Sequence, residues 1–433
     1  MQRKRFLLIN PWVYDFAAVN MWARPLGLLR VAEFLSQFDV EILLLDCMDR
    51  FRLKGYNMGK YPKLILPTPE PLLDIKRYYG RYGIGLDEFI QRLRSSAPVD
   101  MILVTSLMTY WYPGVFEVIR LCRRFLPGVP VVLGGIYATL CHEHAKAFSG
   151  ADYVYRGRIS HDFADLTETM GIRLTGTGNP VPYYRLNLYR NPPYAPLLTS
   201  EGCPYRCSYC ASGLLSDSYS TRPVDEIVQE IRQLHSLGVK DLAFYDDALL
   251  FRAEEHIKPL LHEIIREGLD VRFHTPNGLH ARYLDSELAD LMYRAGFKTI
   301  RLSLETVNPE RQGLSGGKVR NDELDRAIFY LRKAGFRKEN IGVYLMYGLP
   351  GQDIEEVAEG VEHLISRDVR IHLAEYSPIP GTRDWEILTE KGIIHDDIDP
   401  LLTNNTVFSV LCTNYAMEEL RRIKERVNYH NLK

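Results

Sequence analysis

Three cysteines within eight residues are the strongest chemical signal in the chain. They lie in Thr199-Ser-Glu-Gly-Cys203-Pro-Tyr-Arg-Cys207-Ser-Tyr-Cys210, with the spacing C-x3-C-x2-C. The full sequence holds only 7 cysteines in 433 residues, an odd and sparse count that excludes a secreted disulfide framework. Three thiolates on one short loop can hold three corners of a cubane iron–sulfur cluster and leave one iron open to an outside ligand. A zinc ion with a distant fourth ligand is the competing reading. Zinc sites more often show paired C-x2-C elements and four closed ligands, so the spacing favours the cluster.

The elements that must carry this loop follow from alternation along the chain. From residue 196 onward, short apolar runs alternate with helical patterns. The expected strands are Leu197–Ser200, Asp241–Tyr245, Val271–Thr275, Thr299–Ser303, Ile341–Tyr347 and Ile371–Glu375. The expected helices are Val224–Leu237, Ala253–Glu267, Ser286–Arg294, Asp322–Ala334 and Ile354–Ser366. Such a series predicts a partial (β/α)6 barrel of parallel strands, with chemistry at the carboxyl ends of the strands. The cysteine loop follows the first strand. Tyr245-Asp246-Asp247 follows the second, and two adjacent acids are by themselves more often a solvated loop. Ser303 and Glu305 share a strand face at the fourth. Tyr347-Gly-Leu-Pro-Gly-Gln352 ends the fifth, and is equally consistent with plain Gly/Pro turn chemistry.

The first 158 residues alternate in the same way, with strands at Arg5–Asn10, Val40–Asp46, Asp100–Ser106, Val129–Gly134 and Ala151–Tyr155. They predict an N-terminal Rossmann-like doubly wound parallel sheet. Phe51–Gly85, rich in Tyr, Pro, Gly and Lys, reads as an insertion or long loop over the sheet's carboxyl edge. The fold class is therefore α/β, divided as 1–158, a linker at 159–195, a core barrel at 196–382 and a short C-terminal extension at 383–433. Lys plus Arg number 53 and Asp plus Glu 55, a net charge of −2, which gives no general pull toward nucleic acid or acidic membrane. The apolar stretch near the N-terminus ends at Asn10-Pro11 and reads as a strand, so the expected location is the cytoplasm.

The cysteine loop resembles the signature of the radical S-adenosylmethionine (SAM) enzymes. The resemblance implies that Cys203, Cys207 and Cys210 bind a [4Fe-4S] cluster and that SAM chelates the open iron and is cleaved to a 5′-deoxyadenosyl radical. It further implies SAM contacts at Tyr209, Tyr245, Asp246, Asp247, Ser303 and Glu305. The first half resembles the cobalamin-binding domain that precedes many radical SAM barrels. There, Ser106 and Thr109 after the third strand, and Gly134-Gly135 after the fourth, leave room for a nucleotide tail. The axial-histidine motif of that family is not matched: Asp46-Cys-Met48-Asp-Arg-Phe51 has Met where the histidine would stand. Tyr110, Trp111, Tyr112 and Tyr137 either shield the corrin or belong to the core. The implied chemistry is methylation of an unactivated carbon in a biosynthetic intermediate, with cyclisation, rearrangement or oxidation as the alternative. A non-catalytic metal protein is the reading from another class. A small molecule or peptide is the expected substrate, and a flavodoxin or ferredoxin the expected electron donor. His161, His274, His280 and Tyr344 are acid–base candidates among which the sequence does not choose.

Overall fold

The computed structural model describes residues 3–176, 178, 186–411, 413 and 415–433. Part of the expected linker, and Cys412, lie outside the described residues. The chain forms two compact units, Met1–Pro192 with Asp399–Leu402, and Pro193–Ile398 with Thr403–Lys433.

The first unit is built on five parallel strands: β1 (Lys4–Asn10), β2 (Val40–Asp46), β3 (Met101–Val104), β4 (Val131–Leu133) and β5 (Tyr153–Val154). Their order is β5-β4-β3-β1-β2. In β1, Phe6 and Leu8 join one core cluster with Leu28 and Ala32. Leu7 and Ile9 join another with Phe89, Leu93 and Val118. Successive side chains point to opposite faces, so both faces of the sheet are covered, and an unbroken apolar run is what such a strand needs. The covering helices include α1 (Leu26–Leu35), α2 (Leu86–Ser95) and α3 (Tyr112–Phe125). Asp87 and Glu88 in the first turn of α2, and Arg92 and Arg94 in its last, complement the helix dipole. Strand order reverses between β1 and β3, and in open α/β sheets that switch point is where ligands sit.

The 51–85 segment is more ordered than its composition suggests. Val13–Asp15 pairs with Gly80–Tyr82, which pairs with Lys63–Ile65. Val19–Asn20 and Arg52–Leu53 pair with Gly59–Lys60. These antiparallel ribbons are built on the chain leaving the carboxyl ends of β1 and β2. Strands of two or three residues between prolines and glycines leave no periodicity to read.

The second unit has six parallel strands in sequential order: β6 (Tyr194–Leu197), β7 (Asp241–Phe244), β8 (Arg272–His274), β9 (Phe297–Glu305), β10 (Ile341–Tyr347) and β11 (Arg370–Glu375). β6 and β11 do not pair, so the barrel is open. Helices α4 (Val224–Ser236), α5 (Ile257–Glu267), α6 (Ser286–Arg294), α7 (Asn321–Ala334) and α8 (Ile354–Ser366) follow the successive strands. Asp285 and Asp353 cap α6 and α8, accepting from Leu288 N and Glu356 N. The alternation in β9 separates the two faces: Ile300, Leu302 and Leu304 are wholly buried, while Thr299, Arg301 and Ser303 point the other way. The first strand begins three residues earlier than the sequence suggests. Pro193 and Pro196 look like connector residues, but β6 is an edge strand, where a missing N–H is tolerated. Ser200–Glu201 instead pairs antiparallel with Ser220–Thr221.

Candidate functional site

The cysteine loop starts from that short ribbon. Gly202 has φ +75, and a Cβ there would lie 2.3 Å from Ser218 O, so only glycine turns the chain into the loop. The three thiols are free, with Cys203 and Cys207 half-buried and Cys210 exposed. Cys210 N donates to Cys207 O at 3.0 Å. Burial pushes the Cys207 thiol up to about 11. Among the described residues, the one trio of His, Cys, Asp and Glu whose ligand atoms lie within 4.8 Å of one another is Glu254, Asp285 and Glu287. That trio already surrounds the Lys258 ammonium. A tetrahedral zinc with Zn–S near 2.3 Å would draw its sulfurs within about 4 Å of each other. The three cysteine sulfurs do not form so tight a group. The remaining described cysteines stand apart in the first unit. Burial raises Cys122 and Cys141 to about 12, and it also pushes the Cys47 thiol well above its ordinary value.

The loop is braced from behind. Tyr205 stacks on His280, with ring centroids 4.9 Å apart, and Arg282 Nη1 donates to its hydroxyl at 3.0 Å. Tyr209 joins a core cluster with Leu349, Tyr376 and Trp385, and its buried hydroxyl sits beside Cys207.

The strand ends bring further groups together. Asp246, after β7, is buried, and its Oδ1 accepts from Thr199 N (2.9 Å), Thr199 Oγ1 (2.7 Å), Ser200 N (2.5 Å) and Ser200 Oγ (2.6 Å). Burial raises this carboxyl to about 6, against the pull of those donors. Asp246 thereby ties β7 to the chain leading into the cysteine loop. Asp247 is exposed, and its charge reaches Cys203. Asn277 Nδ2 donates to Tyr245 O at 2.9 Å and links the ends of β7 and β8. A Cβ on Gly278 would lie 2.1 Å from Ser303 Oγ, so glycine there makes room for that hydroxyl.

Ser303 and Glu305 meet at a register shift between β9 and β10, and Glu305 has φ +67. A non-glycine residue held there is strained by roughly 1–3 kcal/mol, a cost that tends to be retained at functional sites. Lys318 Nζ donates to Ser303 Oγ at 2.8 Å and lies 3.5 Å from Glu305 Oε1. Its loop passes close to the cysteines: a Cβ on Gly316 would lie 3.1 Å from Cys207 Cα. Sequence reasoning missed Lys318. Gly316-Gly317-Lys318, a glycine pair freeing the backbone before a lone cation, was the available signal. The Gly348–Gln352 turn after β10 is firmly held: Arg311 donates to Pro350 O and Gly351 O, and Tyr415 OH donates to Gln352 Oε1.

In the first unit, Ser106 Oγ donates to Gly134 O at 2.7 Å and accepts from Ala138 N at 3.2 Å. Gly135 has φ +97, and a Cβ there would lie 2.3 Å from Ser106 O. The two strand ends are therefore knitted together, while a Cβ on Gly134 would meet nothing within 4 Å. Leu107 (50% exposed) and Met108 (44%) lie on the surface beside this cradle, and Thr109 is buried. Met48 is buried with Val13 and Tyr82 under the antiparallel ribbons. The aromatic residues behave as core. Tyr137 is wholly buried, Trp111 Nε1 donates to Asp15, and Tyr112 OH donates to Asp399. Of the acid–base candidates, His274 is held between Asp241 and Thr299, and Tyr344 OH donates to Pro276 O. His280 is buried with neither ring nitrogen partnered, and burial lowers it to about 3.

Comparison with known proteins places these features. Residues 197–364 match the family model of the radical SAM superfamily, and residues 74–167 that of the B12 binding domain. The chain therefore carries a radical SAM domain in its second unit and a B12-binding domain in its first. The "Uncharacterized methyltransferase PH0819" of Pyrococcus horikoshii is 23% identical over 347 residues, covering 70% of this chain and 74% of that protein. The chain spans half or less of the length of several other curated relatives. Among solved structures, the radical SAM methyltransferase TsrM from Kitasatospora setae, with cobalamin and [4Fe-4S] cluster bound, superposes with TM-score 0.66 at 18% identity. It covers 90% of this chain and 78% of that one. The cobalamin-dependent enzyme OxsB, with aqua-cobalamin and SAM bound, gives TM-score 0.57 at 14% identity, covering 98% and 62%. Among the described residues no helix is long and apolar enough to cross a membrane.

Proposed function

We propose that this chain is a cobalamin-dependent radical SAM methyltransferase acting on an unactivated carbon of a small-molecule or peptide intermediate. The observation that carries the reading is the pairing of two sites in one chain: three free thiols on one short loop at the mouth of an open parallel barrel, and a glycine-lined cradle at the strand ends of a B12-binding domain. When bound, the cluster supplies the electron that cleaves SAM, and the corrinoid supplies a transferable methyl group.

The residues take the following parts. Cys203, Cys207 and Cys210 hold the cluster. Ser303, Glu305 and Lys318 receive the polar groups of SAM, and the Lys318 cation suits its carboxylate. Tyr209 borders the adenine. The Tyr245–Asp247 strand end faces the SAM amino group, with Asp246 fixing the backbone that presents it. Ser106, Thr109, Gly134 and Gly135 shape the slot for the corrinoid tail. With Met48 packed in an apolar cluster, this loop offers the cobalt no imidazole. A flavodoxin or ferredoxin is the expected electron donor.

The test is anaerobic reconstitution with iron, sulfide and corrinoid, followed by incubation with methyl-labelled SAM and reductant. Formation of 5′-deoxyadenosine together with label in the product supports the reading. Deoxyadenosine without label transfer assigns the chain to a radical cyclase, rearrangement or oxidation enzyme. No SAM cleavage by a cluster-loaded chain removes the radical reading altogether.

A further inference from the structure

The concave face of the second unit's sheet carries more positive charge than its neighbours neutralise. Residues facing away from the helices in β9, β10 and β11 include Arg301, Gly342, Tyr344, Arg370 and His372, and register pairs Arg301 with Gly342, Gly342 with Arg370, and Tyr344 with His372. Arg301 lies against the Tyr344 hydroxyl, and Arg370 lies close to both Arg301 and His372. Arg301 and Arg370 form no ion pair with any described carboxylate, and the undescribed residues contain no Asp or Glu. The acids on the same face are engaged elsewhere, Asp241 by Arg272 and His274 and Glu305 by Lys318 at 3.5 Å. Arg370 Nε and His372 Nε2 are buried without a partner.

Gly342 explains how these groups fit. A Cβ there would lie 2.5 Å from Arg301 Nη1 and 2.7 Å from His372 Nε2. The missing side chain lets donors from β9 and β11 converge across β10. Both arginines are half-buried, and a charge partly removed from water without a counter-ion is costly, so the arrangement calls for an anion. Arg301, Arg370 and His372 each keep part of their surface exposed, so the spot is reachable.

We propose that Arg301, Arg370 and His372 bind an anionic oxygen group, a carboxylate or a phosphate, of the methyl acceptor. The substrate assignment rests on the function proposed above; the anion site itself does not. Arg301 lies two residues deeper along β9 than Ser303, roughly 7 Å at the rise of a strand, which separates this site from the SAM groups near Lys318.

The experiment is calorimetric titration of the full chain, before cluster loading, with inorganic phosphate and, in a separate arm, acetate, at constant ionic strength against a chloride control. Saturable binding of either anion is expected, and the tighter one names the group. Arg370→Gln, at the sheet edge, and Arg301→Gln should each weaken binding at least tenfold, with circular dichroism confirming the fold. Absence of saturable heat, or equal binding by wild type and Arg370→Gln, overturns the proposal. A parallel tenfold loss of SAM affinity in Arg370→Gln overturns the assignment to the substrate. Anion binding in a chain that fails to cleave SAM after loading keeps the site and removes the reaction it serves, and SAM cleavage without anion binding does the reverse.

Discussion

At the scale of single residues, Lys318 and Asp246 separate two kinds of work. Lys318 offers its cation to Ser303 and Glu305 beside the cysteine loop. A hydrogen bond to a charged group contributes about 1.5–3 kcal/mol, so Lys318→Met should weaken SAM binding by roughly ten- to a hundredfold in equilibrium titration, with iron content unchanged. Asp246 acts on the scaffold. Its folded-state value of about 6 lies above the ordinary 3.8, so folding favours the neutral acid. That stability is complete below about pH 4 and lost as pH rises through 6, by up to about 3 kcal/mol. Asp246→Asn should flatten this slope: in urea denaturation the variant should gain stability relative to wild type, by up to about 3 kcal/mol, between about pH 4 and 7. A pH-independent difference would reject the account. The clustering of the cysteines on one loop and the place of Ser303 and Glu305 at one strand end were legible in the sequence, because spacing along the chain survives folding. Lys318 was not, because its place beside Ser303 is set by a loop, and loops carry no period.

At the scale of elements, the strand–helix alternation was readable because a two-sided parallel sheet demands unbroken apolar runs, and β1, β3 and β10 supply them. The departures share a physical cause. β6 contains Pro196, which an interior strand would reject but an edge strand accepts, and the 51–85 ribbons are too short to show alternation. Close approach is the other hidden constraint. Gly134-Gly135 reads as room for a nucleotide tail, yet at Gly135 the φ of +97 and the contact with Ser106 themselves forbid a side chain. Gly135→Ala should destabilise the first unit by about 1–3 kcal/mol and reduce corrinoid binding, read by thermal denaturation and visible absorption. A variant with wild-type melting and corrinoid content would show that the cradle tolerates expansion.

At the scale of the whole molecule, the two sites stand in separate units, each with its own hydrophobic core. Replacing Cys203, Cys207 and Cys210 together with serine should abolish iron incorporation while leaving corrinoid binding within about twofold of wild type, as expected for independent sites. Loss of both would show that the cofactors load cooperatively. The distribution of sulfur has a practical result. Cys47 and Cys122 are sealed in the first unit and held in the thiol form, whereas Cys210 faces the surface. An alkylating reagent offered to the folded, unloaded chain should therefore mark the peptide around Cys210 first and the sealed pair last. Mass spectrometry of that peptide then gauges occupancy of the centre, since coordinated sulfur escapes the label.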